Sequence, residues 1–125
     1  MTGIAAAAES IVGLILQYRY VIGNEVEFQE GLARVFDLNS MLYIREHDLG
    51  AAFGRIDFFL PGACIGIELK VKGNPTAVLR QLHRYALSPK IGSLILVTGR
   101  ARLAAAPPAL NGKPLLTAAV WPGQF

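Results

Sequence analysis

Two apolar segments joined by a tight turn constrain the fold of this chain more than any other feature of its sequence. Residues 54–60 (GRIDFFL) and 63–71 (ACIGIELKV) flank the turn pair Pro61-Gly62. Segments rich in β-branched, aromatic and aliphatic residues on either side of such a turn predict two antiparallel strands joined as a hairpin. The chain is therefore expected to build a sheet that contains this hairpin.

Charged side chains interrupt both strands of the predicted hairpin. Asp57 lies between Ile56 and Phe58, while Glu68 and Lys70 lie two residues apart in the second strand. Because side chains alternate across a strand, Glu68 and Lys70 share a face, and pairing through the turn can bring Asp57 to the same face. Burying such charges is unfavourable unless they pair or bind a metal ion.

Two converging carboxylates are the ligands that a hard divalent cation such as Mg²⁺ needs. The ammonium of Lys70 can then orient a water molecule and stabilise negative charge on a phosphate. A purely structural interpretation stays open beside this one. In it, Glu68 pairs with Lys70 or Lys72 on an edge strand, and Asp57 accepts a hydrogen bond in a turn.

The remaining patterns alternate between helical and extended segments, which predicts an α/β domain with a mixed sheet. The other predicted elements are, in chain order, an apolar helix over residues 5–18, a helix capped by Asn24 and ending near Phe36, a strand at 41–46, a helix from Pro75 to about Leu87, a strand at 94–98 and a last strand at 115–120.

Length and composition indicate one domain over residues 1–125, because the chain is near the commonest domain size and 53% of its residues are hydrophobic. These values exclude a disordered chain. The single cysteine excludes an internal disulfide framework and a zinc site of four cysteines. Residues 1–22 are expected to form an N-terminal apolar helix that packs on the core or on a second subunit, and a homodimer is the expected assembly.

The charges are distributed unevenly along the chain. Residues 1–62 carry four arginines and eight acids, a net charge of −4, whereas residues 63–125 carry eight basic residues and one acid, a net charge of +7. An acidic half can collect metal ligands, and a basic half can attract phosphate, although chance clustering on a solvated surface gives the same pattern.

Neither a membrane span nor a secretory signal is predicted. No run of about 18 apolar residues occurs, and the first residues lack the basic region of a signal peptide. We therefore expect a cytoplasmic protein without a membrane partner.

Three segments of this sequence resemble the PD-(D/E)XK nuclease superfamily: residues 54–58 (GRIDF), 67–73 (IELKVKG) and 80–86 (RQLHRYA). Within it, the chain is most similar to small phage and bacterial nucleases of the Holliday-junction-resolvase or virus-type replication-repair kind. The resemblance covers about residues 24–98 and implies a restriction-endonuclease-like core of helix, three-stranded meander, helix and strand, with an extra N-terminal helix. Ile56 stands where the motif has proline.

The resemblance implies a catalytic role for each residue that matches the motif. Asp57 and Glu68 would hold Mg²⁺ or Mn²⁺, and Lys70 would position the attacking water or stabilise the charge on the phosphate. On the following helix, some members place a glutamine and a tyrosine beside the active site. Gln81 would then support the substrate phosphate.

A glutamate on the helix before the sheet often completes the metal site in this family. Glu25 is our candidate, because it shares a helix face with Gln29. Glu27 and Glu30 are alternatives, and all three also fit solvated acids near a helix N-terminus. Glu46, at the end of the predicted first strand, is a further candidate, although a surface acid paired with an arginine is the favoured interpretation.

The residues expected to contact nucleic acid are Lys72, Arg80, Arg84 and Tyr85. Arg80 and Arg84 are spaced one helical turn apart and can hold a phosphate backbone. The implied function is a metal-dependent nuclease acting on DNA, with RNA as the alternative substrate. A nuclease-like fold that only binds nucleic acid or a protein partner within a larger complex is the second interpretation, and a structural phage or host-interaction protein is the third.

Overall fold

A computed structural model describes residues 2–120, which form an α/β fold with four helices and a six-stranded mixed sheet. None of the helices within these residues is long and apolar enough to cross a membrane. The elements in chain order are α1 (Thr2–Ile15), α2 (Glu25–Leu38), β1 (Ile44–Asp48), β2 (Arg55–Leu60), β3 (Ile65–Lys70), α3 (Pro75–Ala86), β4 (Ser93–Thr98), α4 (Ala101–Ala104), β5 (Ala109–Leu110) and β6 (Lys113–Ala119).

The sheet has the strand order β1-β2-β3-β4-β6-β5. Strands β1, β2 and β3 form an antiparallel meander, β4 lies parallel to β3, β6 lies parallel to β4, and β5 pairs antiparallel with β6. The predicted hairpin is confirmed, because Phe58 lies opposite Ile67 and Leu60 lies opposite Ile65. Strand β3 is therefore a central strand, with neighbours on both sides.

Helices cover both faces of the sheet. On one face α1 and α2 contribute Ile15, Phe28 and Phe36 to a buried apolar cluster that also contains Phe58 and Ile67. On the other face α3 and α4 contribute a second cluster, whose buried members include Val78, Leu82, Leu94, Leu96 and Leu103. Helix α1 contacts β4 and β6, so its apolar side is buried within this chain.

Polar side chains define where α2 and α3 begin. The side chain of Asn24 accepts a hydrogen bond from the N–H of Glu27 at 2.9 Å, as an N-cap residue does. Asn74 caps α3 in the same way, and Pro75 follows at the first turn, where a proline removes no helical hydrogen bond. Both predicted helix starts are confirmed.

The predicted strand at 41–46 is shifted along the chain, because β1 begins at Ile44 and extends to Asp48. The N–H of Met41 donates to the carbonyl of Phe36 at 2.9 Å. Residues 41–43 therefore close the C-terminal end of α2 and do not join the strand. The hydroxyl of Tyr43 donates to Asp37 Oδ1 at 2.8 Å and keeps the segment against the helix. A local strand pattern was overridden here by helix-end hydrogen bonds.

The first helix and the C-terminal region also differ from the predicted boundaries. Helix α1 ends at Ile15 instead of residue 18, because the N–H groups of Gln17 and Tyr18 form turns with carbonyls three residues earlier. The hydroxyl of Tyr20 donates to the carbonyl of Ile15 at 2.7 Å and holds this turn. The short elements α4 and β5 were not predicted, because four and two residues carry too little periodicity.

Gly66 lies in β3 where a side chain has no room. A Cβ at this position would lie 2.6 Å from Ile56 Cδ1 and 2.8 Å from Ile91 Cδ1. We expect Gly66→Ala to lower the free energy of unfolding by about 1–3 kcal/mol through overpacking, measured by urea denaturation. The matched control is Gly62→Ala in the adjacent turn, where no atom lies within 4 Å of the added Cβ. Equal stabilities of the two variants would contradict this packing.

Candidate active site

The regular pairing of β2 with β3 ends at Phe58 and Ile67. Beyond this pair, the side chains of Asp57 and Glu68 form the hydrogen bonds between the two strands. The N–H of Asp57 donates to Glu68 Oε1 at 3.2 Å, and the N–H of Leu69 donates to Asp57 Oδ2 at 2.9 Å. Each carboxylate thus accepts a hydrogen bond from the backbone of the opposite strand. This exchange fixes the two acids side by side, as the hairpin register predicts. We call them the acid pair.

Lys70 lies beside the acid pair, with its Nζ 3.3 Å from Glu68 Oε2. The lysine side chain is 19% exposed, whereas that of Glu68 is 5% exposed. The structure therefore brings together all three residues that the hairpin pattern singled out. The structural interpretation is confirmed in its ion pair between Glu68 and Lys70. Its edge-strand placement is wrong, because β3 lies between β2 and β4. Asp57 accepts its hydrogen bond from Leu69 across the two strands and not within a turn.

The pKa values of both acids are raised. Burial and the neighbouring Asp57 carboxylate together raise the pKa of Glu68 to about 8, against the opposing effect of Lys70. The pKa of Asp57 is raised to about 6, mainly by burial and also by the charge of Glu25, against the lowering effect of the hydrogen bond from Leu69. Without a cation, the acid pair therefore holds a proton that ordinary carboxyl groups would release at neutral pH.

Glu25 lies at the start of α2 and faces the same region. With Lys70, Lys72 and Gly73 it lines a cleft of about 530 Å³. Its charge acts on Asp57, as the raised pKa of that residue records. Glu25 is half-buried, and among the described residues it does not converge with Asp57 and Glu68 into a group of three metal ligands.

The two alternatives to Glu25 have other partners. Glu27 accepts a hydrogen bond from the side chain of its own cap residue Asn24 at 3.0 Å. Glu30 forms an ion pair with Arg45 at 3.4 Å. Of the three glutamates that α2 offers, Glu25 is the one that the structure places at the cleft.

Glu46 is exposed, as expected of a surface acid, but the neighbouring arginine is not its partner. The register of β1 and β2 places it opposite Asp57, and its charge raises the pKa of Asp57. The neighbouring Arg45 pairs with Glu30 instead. Glu46 also has a φ of 51°, a left-handed conformation that costs a non-glycine residue on the order of 1 kcal/mol. The sequence offered Glu46 as a further candidate for the site, but nothing in it indicated the left-handed backbone.

Tyr85 is buried and does not present its ring to a ligand. It is 1% exposed, and its hydroxyl donates to the carbonyl of Arg55 at 2.9 Å, which anchors the start of β2. Burial and the nearby Glu68 and Asp57 raise its pKa, so it stays protonated as a donor. Tyr85 therefore does not contact nucleic acid with its ring, as had been expected. It supports the start of β2 instead. Gln81 is half-buried one helical turn earlier, and Arg80 is exposed.

A metal ion at this position would depend on the acid pair. Among residues 2–120, no three His, Cys, Asp or Glu side chains converge closely enough to hold an ion by themselves. Mg²⁺ is commonly held by one or two carboxylates, with water molecules and substrate phosphates as the other ligands. The hard carboxylate oxygen atoms of Asp57 and Glu68, which backbone hydrogen bonds hold on neighbouring strands, fit that mode of binding.

The structure defines an α/β protein with a six-stranded mixed sheet and a buried acid pair beside a lysine at the end of two central strands. No family model matches the chain, and comparisons with curated proteins and with solved structures find no match. Its function is therefore inferred from its own residues and their geometry.

Proposed function

We propose that this protein is a divalent-metal-dependent nuclease that hydrolyses phosphodiester bonds in DNA, with a core of the PD-(D/E)XK type. The observation that carries this proposal is the acid pair, in which Asp57 and Glu68 meet beside Lys70. The order of helix, antiparallel three-stranded meander, helix and parallel strand supports it.

The unfavourable free energy of burying two carboxylates together supports a functional interpretation of the acid pair. Two carboxylates of like charge lie in a largely buried position, where burial raises the pKa of both. Apolar residues of similar volume are often as stabilising as a buried ionic group, so folding alone gives little reason for this arrangement. Titratable groups with strongly perturbed pKa values beside a cleft are typical of functional sites.

The proposed mechanism assigns a part to each side chain of the candidate site. Asp57 and Glu68 would hold Mg²⁺ or Mn²⁺, and Glu25, which lines the cleft beside Lys70, would add a ligand or orient a water molecule. The ion, when bound, lowers the pKa of water and offsets negative charge on the phosphate. Lys70, held by Glu68 and partly exposed to the cleft, positions the attacking water or stabilises the charge that develops on the phosphate. Gln81 supports the substrate.

A panel of nucleic acids tests this proposal. Linear, nicked, flapped, four-way and single-stranded DNA, and RNA, are incubated with the full chain and Mg²⁺, Mn²⁺ or EDTA. We expect cleavage of DNA with either metal and none in EDTA. No cleavage of any substrate with either metal, or equal cleavage in EDTA, would contradict the proposal.

A second candidate function is a nuclease-like fold that binds nucleic acid or a protein partner without cleaving it. The ion pair between Glu68 and Lys70 favours it, because this contact offsets the charge of Glu68 without any metal. An active enzyme that binds Mg²⁺ in its folded state alone is stabilised by the ion through mass action. A fold that only binds nucleic acid or protein would melt at the same temperature with and without Mg²⁺.

A further inference from the structure

A surface rich in arginine covers the side of the molecule formed by α3 and α4. We call it the basic surface, and it consists of Lys72, Arg80, Arg84, Arg100 and Arg102, all of which are exposed. No Asp or Glu occurs in the sequence after Glu68. The positive charge of this surface is therefore not interrupted by an acid from its own part of the chain.

The packing of α3 fixes two of these arginines outward. Val78 and Leu82 belong to the buried stripe of this helix and anchor it in the apolar cluster beneath. Arg80 and Arg84 lie on the opposite, exposed stripe and are one turn apart. Because the buried stripe sets their direction, the two arginines form an exposed row along the helix.

A second pair of exposed arginines lies at the start of α4, where Arg100 is the N-cap residue and Arg102 is in the helix. Leu103 is buried in the same cluster as α3, while Arg100 and Arg102 are exposed. A shallow groove between the two helices is lined by Leu79 of α3 and by Arg102 and Leu103 of α4. The two rows of arginines thus lie on the same helical layer, over one apolar cluster.

Among the described residues, no acidic side chain forms an ion pair with a cation of the basic surface. Within residues 2–120, the ion pairs are those of Arg45 with Glu30 and of Lys70 with Glu68, and neither involves the basic surface. The opposite layer of helices, α1 and α2, carries five acids and one exposed arginine, Arg34. Clustered like charges repel one another, so this surface is best complemented by a polyanion.

The basic surface is continuous with the candidate site. Lys72 lines the same cleft as Glu25 and Lys70. Glu68 lies two residues after Gly66 and therefore shares its face of β3. This is the face that α3 covers, because a Cβ on Gly66 would meet Ile91 of the cluster under α3. A chain of phosphates bound along α3 and α4 would therefore extend toward the acid pair.

We propose that the basic surface binds the phosphate backbone of duplex DNA, without reading its bases, and presents one strand to the acid pair. This inference rests on the proposed nuclease function and adds Arg100 and Arg102 of α4 to its binding residues. Duplex DNA is a dense and regular polyanion, with one negative charge per about 1.7 Å of its axis. Rows of exposed cations complement this charge. Guanidinium groups match phosphate oxygens with paired hydrogen bonds.

The test measures binding of the full chain to a labelled duplex by fluorescence anisotropy in EDTA, where metal-dependent cleavage does not occur. Two double variants, Arg80→Gln/Arg84→Gln and Arg100→Gln/Arg102→Gln, are compared with Arg34→Gln on the opposite layer. Each double variant is expected to weaken binding by about tenfold or more at low salt and to reduce the slope of log K against log salt by about 2. The control is expected to bind like the wild type.

Wild-type affinity in both double variants would overturn the inference, as would equal weakening in the Arg34→Gln control. Equal affinity of the wild type for the duplex and for polyglutamate would overturn it as well, because the surface would then be a general site for polyanions. Failure of the nuclease proposal is distinguishable. If no substrate is cleaved while both double variants lose affinity, the binding surface stands without the catalytic function.

Discussion

Asp57→Asn, Glu68→Gln and Lys70→Met are each expected to reduce Mg²⁺-dependent DNA cleavage by about 10³-fold or more. Each substitution keeps the size of the side chain and removes one charge from the acid pair or from the lysine that contacts it. Initial cleavage rates of the purified variants measure the effect, with far-ultraviolet circular dichroism to establish that each variant is folded.

Glu9→Gln is the matched control for these three variants. It also neutralises one carboxylate, but Glu9 is exposed on α1, away from the acid pair. We expect it to cleave at the wild-type rate. Full activity in all three variants of the acid pair and Lys70 would exclude this site as the catalytic centre.

The pH dependence of stability is expected to be reversed from the usual behaviour of acidic groups. In EDTA, the free energy of unfolding should fall as the pH rises from near 4.5 to about 8, the ordinary and the folded-state pKa of Glu68. Over this range the folded protein retains a proton that the unfolded chain has released, so raising the pH favours unfolding. Asp57, with a pKa raised to about 6, adds to the fall at the acidic end of the range.

Glu68→Gln is expected to remove most of this pH dependence and to exceed the wild type in stability at pH values above about 8. The gain in unfolding free energy should be on the order of 1–3 kcal/mol, because the buried like charge is gone. Urea denaturation at several pH values measures it, and Glu9→Gln should follow the wild type. Stability that rises with pH in the wild type, or an unchanged slope in Glu68→Gln, would contradict the electrostatic account of the acid pair.

The hairpin could be predicted from the sequence because its signals are local. A turn pair between two apolar segments sets the register, and the period of two in a strand decides which side chains share a face. Asp57, Glu68 and Lys70 could therefore be grouped before any coordinates. Helix starts were predictable for the same reason, since Asn24 and Asn74 act on backbone groups two or three residues away.

Other parts of the site depend on contacts between distant segments and could not be predicted. Tyr85 reaches the carbonyl of Arg55, thirty residues earlier, because of how α3 crosses the sheet. The choice of Glu25 over Glu27 depends on a cap hydrogen bond that engages Glu27. The left-handed backbone of Glu46 could not be predicted either, because glutamate rarely adopts this conformation.

The binding of Mn²⁺ by the acid pair is the most direct test of the central claim. Isothermal titration of the full chain with Mn²⁺, in parallel with Asp57→Asn and Glu9→Gln, separates this site from adventitious binding to other acids. We predict saturable binding by the wild type and by Glu9→Gln, and loss of that binding in Asp57→Asn. Equal binding by the wild type and Asp57→Asn, or none by the wild type with and without DNA, would contradict a metal centre at Asp57 and Glu68.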